Sequence, residues 1–309
     1  MPNADLSRLG LRQGGTDADE LFITKITGEV MTAYETNCKF KDFGYVRTIT
    51  EGKSARFDVL GEATARYRTA GENLAESGQQ IAADAFTIDI DGPLIANAMV
   101  DEWDEYRNHY EVRSHYNTTL GKALALRYDR NVATCGILAA RAAARIPGGQ
   151  GGSVIADPLF ATDAKELAAG FYDAAEVLDN KNVPEEGRFG FVRPNAYYRL
   201  AQNLDLINNL FGGSGSVREG EIIKVAGITL VKTNTLPNSV ITTDLPKYNG
   251  DFSKTIGLIM TSDAIGTVKR VDMLVATDWL PEYRSTLLFA EYMVGHDYFR
   301  PECAVELSA

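Results

Sequence analysis

The histidines and cysteines of this chain, which could bind a metal ion, are few. Its histidines are His109, His115 and His296. His109 and His115 are six residues apart, so they lie on different faces of a helix, whereas a helical metal pair stands about four apart. His296 lies near Cys303, but no second thiol or carboxylate stands at a ligand spacing. We therefore predict partly buried, hydrogen-bonded histidines, buried thiols and no metal site.

The strongest cluster of acidic side chains is the segment DEWDEY at residues 101–106. Paired carboxylates can act as general acid and general base when their surroundings separate their pKa values. A run of this kind is more often a solvated face. Its place just before a predicted helix also suits the positive end of the helix dipole. We therefore favour a structural role for it over catalysis.

Two glycine-rich segments, 148–152 and 211–216, are the remaining candidates for a ligand-binding loop. Neither is followed by the Lys-Ser/Thr pair of a phosphate loop, and neither stands between a strand and a helix as GxGxxG. The sequence also contains no GxSxG, HExxH or CxxC. We predict that the chain is not an enzyme and needs no cofactor, and that both segments are flexible joints.

Composition narrows the class of protein further. The chain has 309 residues, 45% of them hydrophobic, which is enough for a sizeable core in one large domain or two modest ones. Its formal net charge of −11 argues against binding a DNA backbone, because such binding depends on Lys and Arg. Three widely spaced cysteines, Cys38, Cys135 and Cys303, indicate a reducing compartment. We see no signal peptide and no membrane span, and expect a cytoplasm-like environment.

The elements that must position any functional residue include two predicted strands with a long polar insert. Residues 53–60, KSARFDVL, and 85–92, AFTIDIDG, alternate apolar and polar side chains, which is typical of half-exposed strands. About 25 residues separate them, whereas hairpin loops usually have about two to five. Within this insert lies RYRTAGENLAESGQQ, residues 66–80, which we call the ribbon. A loop of this length in a compact domain is usually functional or disordered.

Further along the chain, apolar residues at helical spacing predict a helix over 112–145, about 50 Å long. We also predict a short helix over 21–36, a helix over 162–180 that Asp163 and Glu166 begin, and a helix opening at Pro194. Strand-like segments at 221–233, 254–261, 266–279 and 285–295 are mixed with these helices without a regular βαβ repeat. The sequence therefore predicts an α+β fold, preceded by a mobile arm over residues 1–20.

With this order in view, the chain resembles the major capsid proteins of short-tailed phages of the T-seven (autographivirus) type. It thereby resembles the Hong Kong 97-type capsid fold that tailed phages share with encapsulins. The segments that carry the resemblance run through nearly the whole sequence. They are GEVMTAYE (28–35), RTITEGKSARFDVLG (47–61), AGENL (70–74), IDGPLIA (90–96), NHYEVRSHYNTTLGKALA (108–125), NVPEEGRFGFVRPNAY (182–197), GITLVKTNTLP (227–237), AIGTVKR (264–270) and AEYMVGHDYFRPECAV (290–305).

The resemblance implies a division of the chain into named parts. These parts are an N-terminal arm (1–50), an extended β-hairpin loop (51–91), a peripheral domain (92–184 and 276–309) with its spine helix (112–145), and an axial domain (185–275). It implies self-assembly through pentamers and hexamers into an icosahedral head enclosing the genome. The expected location is the virion, after assembly in the host cytoplasm.

The resemblance also implies partners. They are a scaffolding protein, a portal, decoration or minor capsid proteins, and packaged double-stranded DNA that is enclosed but not specifically bound. The ribbon would lie over a neighbouring subunit, and its contact candidates are Arg66, Tyr67, Arg68, Gly71, Glu72, Asn73, Leu74, Gln79 and Gln80. Two alternatives stay open: an encapsulin-like nanocompartment shell, and a soluble enzyme using DEWDEY or His296.

Overall fold

The computed structural model describes most of the chain, which divides into two compact units. The described residues are 20–41, 43–61, 63, 65–68, 70, 73, 81, 83–101, 103, 112–146, 149–202, 215–216, 221–222 and 224–309. The first unit comprises Met1–Lys41, Asp91–Asp129 and Lys269–Val294. The second unit comprises Asp42–Ile90, Arg130–Val268 and Gly295–Ala309. The predicted arm over 1–20 lies almost wholly outside the described residues.

Helices and strands alternate irregularly along the described part of the chain. The helices are α1 (Glu20–Asn37), α2 (Val112–Arg141), α3 (Ala164–Asn180) and α4 (Pro194–Leu200). The strands are β1 (Tyr45–Thr48), β2 (Ser54–Leu60), β3 (Ala83–Asp89), β4 (Pro93–Asp101), β5 (Ser153–Ala156), β6 (Phe189–Val192), β7 (Gly215–Ser216), β8 (Glu221–Ile222), β9 (Lys224–Val225), β10 (Ile228–Lys232), β11 (Val240–Ile241), β12 (Gly250–Asp251), β13 (Thr255–Met260), β14 (Ile265–Leu280), β15 (Ser285–Tyr298) and β16 (Ala304–Ser308).

The strands form one six-stranded, one four-stranded and several two-stranded sheets. The larger sheet has the order β5-β16-β13-β6-β10-β9, and the smaller has the order β1-β14-β15-β4. In the larger sheet, β10 runs parallel to β6 and β16 parallel to β5, whereas β13 is antiparallel to both of its neighbours. This mixture has no repeated βαβ unit, and it confirms the predicted α+β class.

The longest helix, α2, begins at Val112 as predicted but ends at Arg141 and not at 145. The correction has a local cause, because the chain turns back over the end of the helix. The Gly152 N–H donates to the Ala142 carbonyl. Carbonyls at the end of a helix have no N–H donor within the helix, and this bond supplies one. Leu120, Leu124 and other members of the predicted stripe are buried, whereas Tyr116 is exposed.

The other predicted elements match the structure with small shifts. Helix α3 starts at Ala164, two residues after the predicted start, because the Asp163 carboxylate accepts from the Lys165 N–H at 2.8 Å and caps it. Its predicted stripe is buried: Leu167, Phe171, Ala174 and Leu178. The strand-like segment predicted over 221–233 contains the short strands β8, β9 and β10, and a turn at Ala226 and Gly227, both with positive φ, separates β9 from β10.

A buried ion pair anchors the end of α2 to the core of the second unit. Glu306 lies on β16 with no exposed surface. Its two carboxylate oxygens accept from Arg141 Nε and Nη2, each at 2.6 Å. Thr255 on β13 donates to the same carboxylate at 2.6 Å. Three donors thus compensate a charge that burial would otherwise penalise heavily.

In the first unit, a buried carboxylate holds the chain where it leaves α1. Asp129 on α2 has no exposed surface. It accepts from the Lys39 and Phe40 N–H groups at 2.8 and 3.1 Å and from the Cys38 thiol at 3.0 Å. Burial raises the pKa of the Asp129 carboxyl, and these hydrogen bonds oppose that change. Helix α1 therefore ends at Asn37, with its next residues fixed to α2.

Candidate functional site

The two predicted strands on either side of the ribbon pair as an antiparallel hairpin. The register runs from Ser54 opposite Asp89 to Leu60 opposite Ala83, and Phe57 faces Phe86. Ala55, Phe57 and Val59 are buried, while the alternate residues of β2 are exposed. The predicted alternation of β2 is confirmed. Strand β3 starts two residues and ends three residues before the predicted segment 85–92. The Ile90 N–H donates to the Lys53 carbonyl at the base of the hairpin.

Four of the nine candidate contact residues belong to the described part of the ribbon. Arg66, Tyr67, Arg68 and Asn73 are all exposed. Tyr67 is the extreme case, with a relative exposure of 101%. The other five candidates, Gly71, Glu72, Leu74, Gln79 and Gln80, lie outside the described residues. The contact role of all nine stays a prediction.

The acidic segment 101–106 is only partly described. Asp101 is the last residue of β4, and its carboxylate accepts from the Trp103 N–H at 2.7 Å. This contact is local to the end of the strand. Glu102, Asp104 and Glu105 lie outside the described residues, so the rest of the cluster stays a prediction.

The two histidines that the structure describes, His115 and His296, differ in burial. His296 is fully buried, its Nδ1 lies 3.0 Å from the Thr267 hydroxyl, and its carbonyl accepts from Lys247 Nζ at 2.8 Å. Burial, with a smaller contribution from the Lys247 charge, lowers the pKa of His296 to about 3. The prediction of a buried, hydrogen-bonded histidine is confirmed for His296. It is wrong for His115, which is exposed on α2, and His109 lies outside the described residues.

Cys38, Cys135 and Cys303 form no disulfide with one another. Cys135 and Cys303 are buried and Cys38 is half-buried. Burial raises the pKa of Cys303 to about 11 and also raises that of Cys38. Within the described ranges, no group of His, Cys, Asp and Glu side chains is arranged to hold a metal ion. No described helix is long and apolar enough to span a membrane.

Two polar anchors escaped the sequence analysis. One is Asp129, which holds residues 38–40. The other is Arg145, whose guanidinium carbon lies 4.0 Å from the ring centroids of both Phe86 and Tyr298. The sequence gives one weak signal for Arg145, since it is the single charged residue between an alanine run and Pro147. Its stacking partners are far away in sequence, so no local pattern could reveal them.

The fold and the absence of a chemical centre in the described residues agree with the similarities of this chain. Residues 56–308 match the Gp10A-like major capsid protein family. The major capsid protein of Escherichia phage T7 is 28% identical, and the alignment covers 96% of this chain and 95% of the relative. The chain therefore belongs to the Gp10A-like family of major capsid proteins.

Solved structures agree with this assignment. The capsid of the cyanophage P-SCSP1u matches with a TM-score of 0.80 and 36% identity, covering 100% of this chain and 99% of that one. The mature capsid of bacteriophage PhiM1 matches with a TM-score of 0.72 at 18% identity, covering 99% and 97% of the two chains. The protein is a major capsid protein of a T7-like phage, a virion component with the Hong Kong 97-type fold. These matches do not favour an encapsulin-like shell or an enzyme over a phage capsid protein.

Proposed function

We propose that this capsid protein assembles through pentamers and hexamers into an icosahedral head, and that the ribbon is a contact with a neighbouring copy. The observation that carries the proposal is the full exposure of Tyr67 between two exposed arginines, Arg66 and Arg68. Tyrosine and arginine are the side chains that protein interfaces favour most. These residues lie between β2 and β3 in sequence, and a neighbouring subunit that covers them would bury their side chains.

The proposal includes a division of labour along the chain. Residues 1–50 are the N-terminal arm and 51–91 the extended loop. Residues 92–184 and 276–309 form the peripheral domain, and 185–275 form the axial domain. Contacts of this kind are heterologous, because one surface of a copy meets a different surface of the next, and they close into rings.

We further propose that a scaffolding protein, a portal and decoration or minor capsid proteins associate with the shell. The role is structural, and the chain performs no catalysis and requires no cofactor. The net charge of −11 fits a wall that encloses double-stranded DNA without binding it tightly, since tight binding would require an excess of Lys and Arg.

Removal of the ribbon tests its role. A variant lacking residues 66–80, expressed with the scaffolding protein, should yield a folded subunit that does not close shells in negative-stain electron microscopy. A matched control replaces the same residues with a Gly-Ser segment of equal length, which keeps the spacing and removes the side chains. Both variants should fail to form shells. If either closes shells as efficiently as the natural sequence, the ribbon side chains are not an essential contact.

A further inference from the structure

The middle of the β2–β3 hairpin is held by a small aromatic cluster of its own. Phe57 from β2, Phe86 from β3 and Phe299 after β15 have ring centroids 5.5 to 5.8 Å apart. Phe57 and Ile88 are buried there with Ala55 and Val268. Because Phe299 and Val268 belong to the body of the second unit, this cluster attaches the hairpin to that body.

Two glycines allow the hairpin to lie very close to the body. A Cβ atom at Gly266 on β14 would stand 2.5 Å from the Ile88 side chain. A Cβ atom at Gly295 on β15 would stand 2.1 Å from the Asp89 carbonyl oxygen. Side chains at either position would push the end of β3 away. The end of β3 therefore lies directly against β14 and β15 at these two glycines.

Arg145 joins the hairpin to the body by stacking. Its guanidinium carbon lies 4.0 Å from the Phe86 centroid on the hairpin and 4.0 Å from the Tyr298 centroid on the body. Its Nη2 donates to the Tyr298 carbonyl oxygen at 2.6 Å. The planar cation is thus held against the body on one side and fixes the Phe86 ring on the other.

An ordinary ion pair does not account for this arrangement. Among the residues that the structure describes, the Asp297 carboxylate pairs with Arg145 at 3.7 Å from Nη2, which is beyond hydrogen-bond distance. The two ring contacts and the bond to the Tyr298 carbonyl are the close ones. Lysine could keep the charge near Asp297, but it cannot stack between two rings, because its ammonium group has no plane.

We propose that Arg145 is a positioning residue that sets the direction in which the β2–β3 hairpin leaves the body of the second unit. The proposal rests on the inter-subunit role of the ribbon. Phe57 is the fourth of the seven residues of β2, so three residues, about 10 Å at about 3.3 Å per residue, lie between the ring contact and Leu60 at the end of the strand. A tilt of roughly 10° about Phe86 would move Leu60 by about 2 Å, which is more than hydrogen bonds to a neighbour tolerate. Arg145 thereby controls where the ribbon meets that neighbour.

The test compares Arg145→Lys and Arg145→Gln with Arg300→Gln. Arg300→Gln is the control. The Arg300 guanidinium carbon lies 5.8 Å from the Phe299 centroid, so this variant also removes an arginine beside the aromatic cluster. Hydrogen exchange is measured over residues 83–89 in the unassembled full chain, and shell diameter is measured after expression with the scaffolding protein. Both Arg145 variants should melt within a few degrees of the natural chain, exchange about tenfold faster over 83–89, and give fewer and less uniform shells. Arg300→Gln should behave as the natural sequence does.

Shell uniformity is the decisive measurement, because a purely stabilising contact would change melting and exchange but not shell geometry. If Arg145→Lys gives natural exchange and uniform shells, stacking is not required and the proposal is wrong. Faster exchange with uniform shells would also overturn it, while the ribbon would keep its role as long as the 66–80 deletion blocks assembly. Assembly of that deletion variant would overturn the ribbon contact itself, whatever the Arg145 variants do.

Discussion

Two arginines four residues apart, Arg141 and Arg145, anchor the second unit in different ways. Arg141 neutralises the fully buried Glu306 through two hydrogen bonds of 2.6 Å. Arg145 has no carboxylate within hydrogen-bond distance among the described residues and lies between two aromatic rings. The same type of side chain thus has two uses. Arg141 compensates a buried charge inside the core, and Arg145 orients the hairpin. The first role should be seen in folding stability, and the second in assembly.

The largest loss of stability should come from a charge placed in the aromatic cluster. Phe57→Asp puts a carboxylate where the side chain is 2% exposed and removes the ring contacts with Phe86 and Phe299. We expect a loss of about 4 kcal/mol in the free energy of unfolding, measured by urea denaturation, and no shells. Phe86→Asp should cost less, because Arg145 can pair with the new carboxylate. Equal losses would show that Arg145 does not control the Phe86 position.

The next largest effect should come from Arg141→Met, which leaves the Glu306 carboxylate buried with Thr255 as its remaining described hydrogen-bond donor. We expect a loss of about 3 kcal/mol, the lower part of the usual range, because the Arg141 side chain is 33% exposed. The double variant Arg141→Met with Glu306→Leu should recover most of this loss, since no charge remains buried. A double variant as unstable as Arg141→Met would mean that packing, not charge, holds the pair together.

A smaller effect should appear with pH, and we expect it to come from His296. The pKa of His296 falls from 6.5 to about 3 on folding. Between pH 6.5 and pH 3, His296 is therefore protonated in the unfolded chain and neutral in the folded chain. Stability contributed by the neutral histidine is complete above pH 6.5 and falls as the pH decreases toward 3. At pH 5 the loss is about 2 kcal/mol.

Denaturation at pH 7 and pH 5 measures this loss, with His296→Gln as the control that cannot titrate. The control should show a drop between the two pH values that is smaller by about 2 kcal/mol. Asp297 works in the opposite direction, since burial raises the pKa of its carboxyl and favours the folded state in acid. An identical drop in both proteins would place the acid sensitivity elsewhere.

The sequence alone predicted the elements whose residues repeat at a fixed period. The alternation of Ala55, Phe57 and Val59 gave strand β2, and the capping residue Asp163 gave the start of α3. It also marked the polar ribbon as an insert without a core. The end of α2 was predicted four residues too late, because that boundary depends on a hydrogen bond from Gly152 that no local pattern contains.

By itself, the sequence determined the class of fold, the order of its main elements and the family, because these follow from local periodicity and from motifs that run along the chain. Only the tertiary structure decided which polar residues matter. Arg145 and Phe86 are 59 positions apart in the sequence, and Arg141 and Glu306 are 165 apart. Stacking and charge compensation act over a few ångströms of space, so they became visible only when folding brought these residues together.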